Sequence, residues 1–595
     1  MTLQVGRAIR ATIFPVVLYC LPILGIAGLI ARFGVDLPVA DQWVLPKVFE
    51  HVAIHRLTFG DLFELHNTHR ILFPRIIFIS LAFLSNWNIK LEMYFGLTLA
   101  VVTFLVFLRI AALSSNIKSR GLFHLANVLT SLLIFSFHQS WLWGFQLPIF
   151  LINLCVALAC LSLVEPIAKP RLRFPFAGLC CFIASFSSLQ GLLTWIATVP
   201  VILSVTSSRQ RWRFLIIWLG CFVLCCGLYT IGYVREPQTS NLTVSAFLIT
   251  AIRFFLNLLA APLTTSVNRA WIIGLVILLS FLFLTVDNLR LFLKTNTFGD
   301  AAPWLSIGCF SGLTCVLSTV GRTGLGADYP LIAVRYTTHT ILLLIASIQL
   351  WRIFIEQKLV KRRLQVYSTE VEVYQNSCLL YGFLTGIICC FIWTRTMAVI
   401  PVVQDDLFYA KSSKTCLEIF NYLEDSEFFK QSSERCLRRM SKSTWWIQDG
   451  VRSLQNSGLR KFVKNATFEP DTTETYGYID FPNNTEKVFK VQPNDIIKLS
   501  GWAAFSENSI PKEQPQLVFL SYGNQTSFFA NAYINLDSPD LVEFFQSNQY
   551  RQSRWSTTFL ADNLPSGETT IRAWIYEPMQ AKFVALKGKV NIQVM

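Results

Sequence analysis

Between Thr12 and Trp393 the apolar residues fall into blocks of roughly 15–22, separated by short polar loops. A helix rising ~1.5 Å per residue needs about 20 residues to cross a hydrocarbon layer ~30 Å thick. Blocks of that length in series define the class: a polytopic α-helical membrane protein. The composition agrees, with 53% hydrophobic and only 15% charged residues and a mean hydropathy of +0.47. Beyond Pro401 the blocks stop and the chain takes on the mixed texture of a globular domain.

The formal net charge of +15 sits largely in short loops between the blocks. That is the positive-inside pattern of a membrane protein, not the basic face of a nucleic-acid binder. Arg7 and Arg10 precede the first span (about 12–32), which places the N-terminus in the cytoplasm; the long first block without a small-residue cleavage site reads as a span, not a signal peptide. The loop that follows is outside. Its apolar stretch 71–85 is short, carries Arg75, and is expected to lie as a helix at the outer interface. Further spans are expected near 91–110, 123–138, 147–164, 174–188, 190–206, 214–233, 271–288, 302–319, 338–355 and 378–393. The stretch 248–262 is not counted. The basic loops Arg109–Arg120, Lys169–Arg173, Arg209–Arg213, Arg290–Lys294 and Lys358–Arg363 then all face the cytoplasm. About eleven spans in a plasma (inner) membrane result, with residues 394–595 in the periplasm or outside the cell.

The first outer loop, 33–90, concentrates functional side chains: four of the seven histidines in the chain (His51, His55, His66, His69) lie within it. Asp36 and Asp41 follow the first span, and Trp43 stands beside them as an aromatic anchor. A carboxylate at the membrane surface suits a general base acting on a hydroxyl acceptor. The string His66-Asn67-Thr68-His69-Arg70, followed by Arg75, gathers imidazoles and guanidiniums near the start of the interfacial helix, a group suited to a phosphate or pyrophosphate. The alternative is a metal site: His51 and His55 are spaced i, i+4, and Asp36 or Asp41 would complete a divalent-cation site for Mg²⁺ or Mn²⁺.

A later outer loop runs from Gly321-Arg322 through Gly324 and Gly326 to Arg335-Tyr336. Its glycines permit close backbone approach to an anion, with Arg322 and Arg335 as bidentate partners; the bland reading is a turn whose arginines face lipid headgroups. Trp143, Gln146 and Gln190 lie in outer turns as candidate sugar contacts. Most of the fifteen cysteines sit inside apolar blocks; Cys416 and Cys436 are the two in the soluble region, where an oxidising compartment would pair them.

This layout resembles the GT-C superfamily of membrane glycosyltransferases, and Asp41-Gln42-Trp43, the His66–Arg70 string and the Gly321-Arg322…Arg335-Tyr336 string are similar to bacterial GT-C-like membrane proteins. The resemblance covers about 1–400. It implies an inverting glycosyltransferase that takes sugar from a polyprenyl-phosphate or -pyrophosphate carrier and passes it to a glycan or lipid acceptor. Asp41 would be the catalytic base, with Asp36 as its alternative. By the chemistry of phosphate recognition, His66, His69, Arg70, Arg75, Arg322, Arg335 and Tyr336 would contact the donor phosphate. No Walker string or Rossmann glycine fingerprint is present in the sequence.

Residues 401–465 read as a helical connector, and from 466 to 595 short alternating runs separated by Gly, Pro, Asn and Asp predict an antiparallel β-sandwich. Trp502, Tyr522, Trp555, Trp574 and Tyr576 are either core or carbohydrate-binding aromatics. Two other functions compete with the transferase: a transporter or flippase for a lipid-linked saccharide, and a non-catalytic envelope protein that binds glycan. Transporters place ionisable residues at mid-membrane, whereas those of this chain gather in outer loops.

Overall fold

The computed structural model describes residues 2–115, 120–166, 169–233, 243–363, 370–423, 436–441, 443–470, 476–480, 488–505, 515–523, 526 and 528–595. In chain order the helices of the first third are α1 (Thr2–Phe33), α2 (Leu45–Ala53), α3 (Phe59–Phe63), α4 (Leu72–Ser85), α5 (Ile89–Leu113), α6 (Arg120–Ile134), α7 (Leu147–Val164) and α8 (Pro170–Ser185). They continue as α9 (Leu193–Ala197), α10 (Val199–Val205), α11 (Ser208–Thr230), α12 (Val244–Ala260), α13 (Val267–Thr295) and α14 (Ala302–Arg322). The last are α15 (Tyr329–Ile332), α16 (Thr337–Arg363), α17 (Glu370–Glu418), α18 (Thr444–Ser457) and α19 (Pro539–Phe545).

Among the described residues eight helices are long and apolar enough to cross a membrane. They fall on the expected spans in α1, α5, α7, α11, α13, α14, α16 and α17. The three other expected spans are shorter or broken. The stretch 190–206 is not one helix but a 3₁₀ turn (Leu189–Leu192), α9 and α10, because Pro200 enters at the start of α10 and has no N–H to continue a ladder. The uncounted stretch 248–262 is helical, as α12. Gly274 of α13 brings that helix against α12 so closely that a Cβ there would stand 1.9 Å from the Leu256 carbonyl oxygen.

The chain divides into two compact units. The helical unit comprises Met1–Gly34, Thr58–Leu81 and Ile89–Val403; the second comprises Val35–Leu57, Ala82–Asn88 and Gln404–Met595. Within the helical unit α7, which is apolar on all sides, is buried along most of its length, and the apolar stretch of α16 is buried as well. Much of α1, α11 and α17 remains uncovered by protein, as for helices that face lipid.

In the second unit Val35–Leu57 and Ala82–Asn88 supply a platform. Trp87 is fully buried and meets the rings of Trp43 and Phe49 edge-on at 6.4 and 5.2 Å. Helix α18 packs on α2, and Gly450 makes this possible: a Cβ there would be 2.6 Å from the Trp43 ring. Hydrogen bonds from Ser453 and Asn456 of α18 hold Glu50 below the usual carboxylate range. The helix α17 runs unbroken through Pro401 into this unit, so the expected connector opens as the continuation of the last span.

The β-strands of the second unit are β3 (Thr467–Glu469), β4 (Gly477–Asp480), β5 (Phe489–Val491), β6 (Ile496–Ala503), β7 (Leu517–Tyr522), β8 (Ala530–Leu536), β9 (Arg554–Leu560), β10 (Gly567–Glu577), β11 (Lys582–Ala585) and β12 (Val590–Val594); β1 and β2 belong to the helical unit. Two separate sheets were expected. Instead one sheet runs β3-β11-β10-β7-β8-β9-β6-β4, with β12 on β10 and β5 on β12. It curls as a half-barrel around a single core that includes Leu499, Trp555, Ile571 and Ile592. The register of β8 on β9 shifts between Ile534 and Leu536, and such a bulge bends a strand and lets the sheet turn the corner. Two backbone bonds join the edge strand β4 to Lys587 (Ile479 N–H to Lys587 O and Lys587 N–H to Gly477 O, both 3.0 Å). Trp555, Trp574 and Tyr576 are core, while Trp502 and Tyr522 are half-buried.

Cys416 and Cys436 form a disulfide across a sequence separation of 20. A loop of that size is worth about 3 kcal/mol to the folded state. Unfolding of the second unit under dithiothreitol, or in Cys416→Ser, is therefore expected to begin earlier by that amount, followed by tryptophan fluorescence in urea.

Candidate functional site

The string His66–Arg70 lies just ahead of a helix, α4. It is a hairpin of β1 (Leu65–His66) and β2 (His69–Arg70), with His66 opposite His69 and Asn67 at φ +52° in the two-residue turn. Ahead of it Thr58 and Asp61 close a capping box on α3, with the Thr58 N–H donating to Asp61 Oδ2 at 2.7 Å. Arg70, expected on a phosphate, is buried and donates to three backbone carbonyls: Nε to Tyr229 O (2.8 Å), Nη1 to Phe63 O (2.5 Å) and Nη2 to Ile231 O. Its plane also covers the Phe63 ring at 4.1 Å. Arg75 is likewise buried, and its Nη1 donates to Leu62 O (3.0 Å) and Glu64 O (2.6 Å). Both guanidiniums thus hold the 58–70 loop in shape. The sequence showed their charge but not the carbonyls folded around them.

The other expected residues meet through the 3₁₀ turn Gly144–Gln146. His66 stands edge-on to Phe145 at 5.3 Å, and Trp143 lies beside the same ring at 5.9 Å. Gln146 Nε2 donates to Arg335 O (2.9 Å) and Thr338 Oγ1 (3.1 Å). Arg335 donates to the Tyr329 hydroxyl at 3.0 Å and lies over the Tyr336 ring. The imidazole Nδ1 of His69 accepts from the Leu189 N–H (3.4 Å) and lies 3.2 Å from Ser188 Oγ, which donates to Gln190 Oε1 at 2.5 Å. His69 and Gln190, far apart in the chain, therefore both lie against the Ser188 hydroxyl. Arg322 ends α14, and in the loop after it Asp328 is held by Asn257 (3.0 Å) and Arg253 (3.7 Å).

The same unit contains buried polar groups not singled out from the sequence. His339 donates from Nδ1 to Asn153 Oδ1 at 2.7 Å, which leaves Nε2 as an acceptor without a partner among the described residues. His138 is stacked on Trp141 and its Nδ1 is also unpartnered among the described residues. Arg352 and Glu356 form a buried ion pair in α16 (3.3 Å), tied to Gln349 and Ser114. The expectation that ionisable groups keep to outer loops is thus incomplete. The signal in each case is an ionisable residue at the edge of an apolar block.

In the second unit Asp36 lines a polar cleft of about 290 Å³ with Asn86, Asn88, Lys414, Glu418 and Arg460. Arg460 Nη2 donates to Asp36 Oδ1 at 2.5 Å and to Trp87 O at 3.0 Å, and its backbone N–H reaches Asn86 Oδ1 at 2.9 Å. Lys414 pairs with Glu418 at 3.7 Å. Asp41 stands half-buried on the 3₁₀ turn Ala40–Val44, after Ala40 at φ +52°, a strained conformation for a residue with a Cβ. Trp43, a proposed substrate contact, is buried and donates to Pro38 O at 3.1 Å, so its role is packing. His51 lies in the last turn of α2, and His55 lies beyond the helix at φ +55°, so the i, i+4 pair does not share a helix face. Among the described residues no three His, Cys, Asp or Glu side chains group as metal ligands. Comparison of the chain with protein-family models, with curated proteins and with solved structures finds no match.

Proposed function

We propose that the chain is a membrane glycosyltransferase of the GT-C type that moves a sugar from a polyprenyl-linked phosphate carrier to a hydroxyl acceptor at the outer face of a plasma membrane. The observation that carries this reading is the Asp36 cleft: a carboxylate shortly beyond the end of α1 at Phe33, set in a concave site of asparagines, lysines, arginine and a second carboxylate. Such polar groups match the hydroxyls of a sugar or glycan. The cleft favours Asp36 over Asp41 as the base. In the step itself the acceptor hydroxyl gives its proton to the Asp36 carboxylate, its oxygen bonds to the anomeric carbon, and the carbon–oxygen bond to the carrier breaks with its electron pair leaving on the lipid phosphate. Arg460 fixes the carboxylate in one orientation. The Cys416–Cys436 disulfide supports an oxidising side for the second unit, and the basic loops support the opposite side as cytoplasm. Eleven crossings follow if the shorter α6, α8 and the broken α9–α10 segment also span.

The buried Arg352–Glu356 pair favours a second reading, a transporter of a lipid-linked saccharide, because ionisable groups inside the membrane commonly mark a passage. The test is transfer of a labelled sugar from polyprenyl-phosphate donors to glycan or lipid acceptors in proteoliposomes, with and without EDTA. Labelled product on the acceptor supports the transferase. Movement of intact donor across the bilayer without new glycosidic product sinks it and supports the transporter.

A further inference from the structure

The helical unit contains a groove of about 670 Å³, lined on one side by α17 and on the other by the connection between α12 and α13. That volume is in the range of sites for small organic ligands, roughly 300–1,000 Å³. The two ends of the groove differ in chemistry. Along α17 the lining residues Phe383, Ile387 and Phe391 recur at helical spacing and make an apolar track. The track ends at Thr394 and Arg395, facing Ser266 of the α12–α13 connection and Arg269 in the first turn of α13.

Arg395 is buried, with only 4% of its surface exposed. Its Nη1 donates to Pro262 O at 2.9 Å and its Nη2 reaches Thr337 Oγ1 at 3.4 Å, but Nε has no acceptor, and among the described residues no carboxylate pairs with it. A guanidinium withdrawn from water without a counter-anion is costly, and more so at the edge of hydrocarbon. The second cation, Arg269, is exposed and also has no carboxylate partner among the described residues. Ser266 is the N-cap of the 29-residue α13, makes no side-chain cap bond, and precedes a first turn without acidic residues. The positive end of that helix therefore adds to the two arginines. An anion is what this end of the groove lacks.

We propose that the groove binds a phosphate-bearing membrane lipid, with the phosphate at Arg269 and Arg395 and the hydrocarbon tail along the Phe383–Phe391 face of α17. A lipid fits better than free phosphate because the apolar track lies on a helix that is long and apolar enough to span and is largely uncovered by protein. This assignment goes beyond the transferase reading and does not depend on it, since Asp36 takes no part.

The experiment is equilibrium binding of a fluorescent long-chain polyprenyl monophosphate to the full chain in dodecyl maltoside micelles, which carry no phosphate, with no sugar transfer measured. Wild type is expected to bind saturably and to be displaced by unlabelled polyprenyl monophosphate. The matching polyprenol and inorganic phosphate should each compete at least tenfold more weakly. Arg269→Gln, at an exposed position that leaves the fold intact, should weaken binding by roughly tenfold, the effect of one charge-assisted hydrogen bond, and Arg269→Lys should recover part of it. Arg395→Gln should weaken binding further where it folds. Equal binding by wild type and Arg269→Gln overturns the assignment, as does a polyprenol that competes as well as its phosphate. Inorganic phosphate that competes equally overturns the lipid part and leaves a free-anion site.

Discussion

Asp36→Asn is expected to lower sugar transfer by a factor on the order of 10²–10⁴, the usual worth of a positioned general base. The substitution keeps the shape of the side chain but removes its ability to take a proton. The fold should tolerate it. An amide oxygen still accepts from Arg460, and Arg460 also donates to Trp87 O at 3.0 Å and to Asp36 O at 3.3 Å. The Asp36 side chain is 28% accessible but that of Arg460 only 10%, so the loss in stability should be about 1–2 kcal/mol. Single-turnover transfer beside thermal unfolding separates the two effects. Asp41→Asn, on the adjoining turn, should retain transfer within a few-fold. Wild-type rates in Asp36→Asn, or loss only in Asp41→Asn, would return the base to Asp41.

Arg70→Ala carries the second large effect, on folding and not on donor affinity. Removing the side chain leaves the carbonyls of Phe63, Tyr229 and Ile231 without their donor and strips a cation from the Phe63 ring. Stranding several buried acceptors costs about 3 kcal/mol or more. Arg70→Lys should rescue little, because one ammonium on a flexible stem does not reproduce a planar fork of donors. Thermal unfolding in detergent and proteolysis at residues 58–64 would report the loss. A variant of unchanged stability that binds polyprenyl phosphate more weakly would restore Arg70 to the donor site.

These two residues show where sequence reasoning succeeds and where it stops. The short apolar runs Leu517–Tyr522 and Ile571–Tyr576 mark strands by their β-branched and aromatic content, and both are found, as β7 and within β10, buried on both faces. Whether those strands make two sheets or one curled sheet depended on a bulge between Ile534 and Leu536, a register event with no local signature. The acidic and basic residues of 33–90 were visible as a group. Their division between two compact units was not, because Trp43, Phe49 and Trp87 pack among residues of one unit and Arg70 and Arg75 among carbonyls of the other.

By itself the sequence determined that this chain lives in a bilayer: apolar blocks long enough to span have no cheaper solvent, and their length is a local property. It also marked the change to a β-rich domain after Pro401 and the two cysteines that pair there. Only the tertiary structure decided which charges are used up by the fold and which are left for a ligand. Arg70 and Arg395 look alike in the sequence; one is surrounded by carbonyls, the other lines a groove with an unpartnered Nε. A charge is intrinsic to its residue, but its partner is set by chain segments more than a hundred residues away, as Tyr229 is for Arg70 and Pro262 for Arg395.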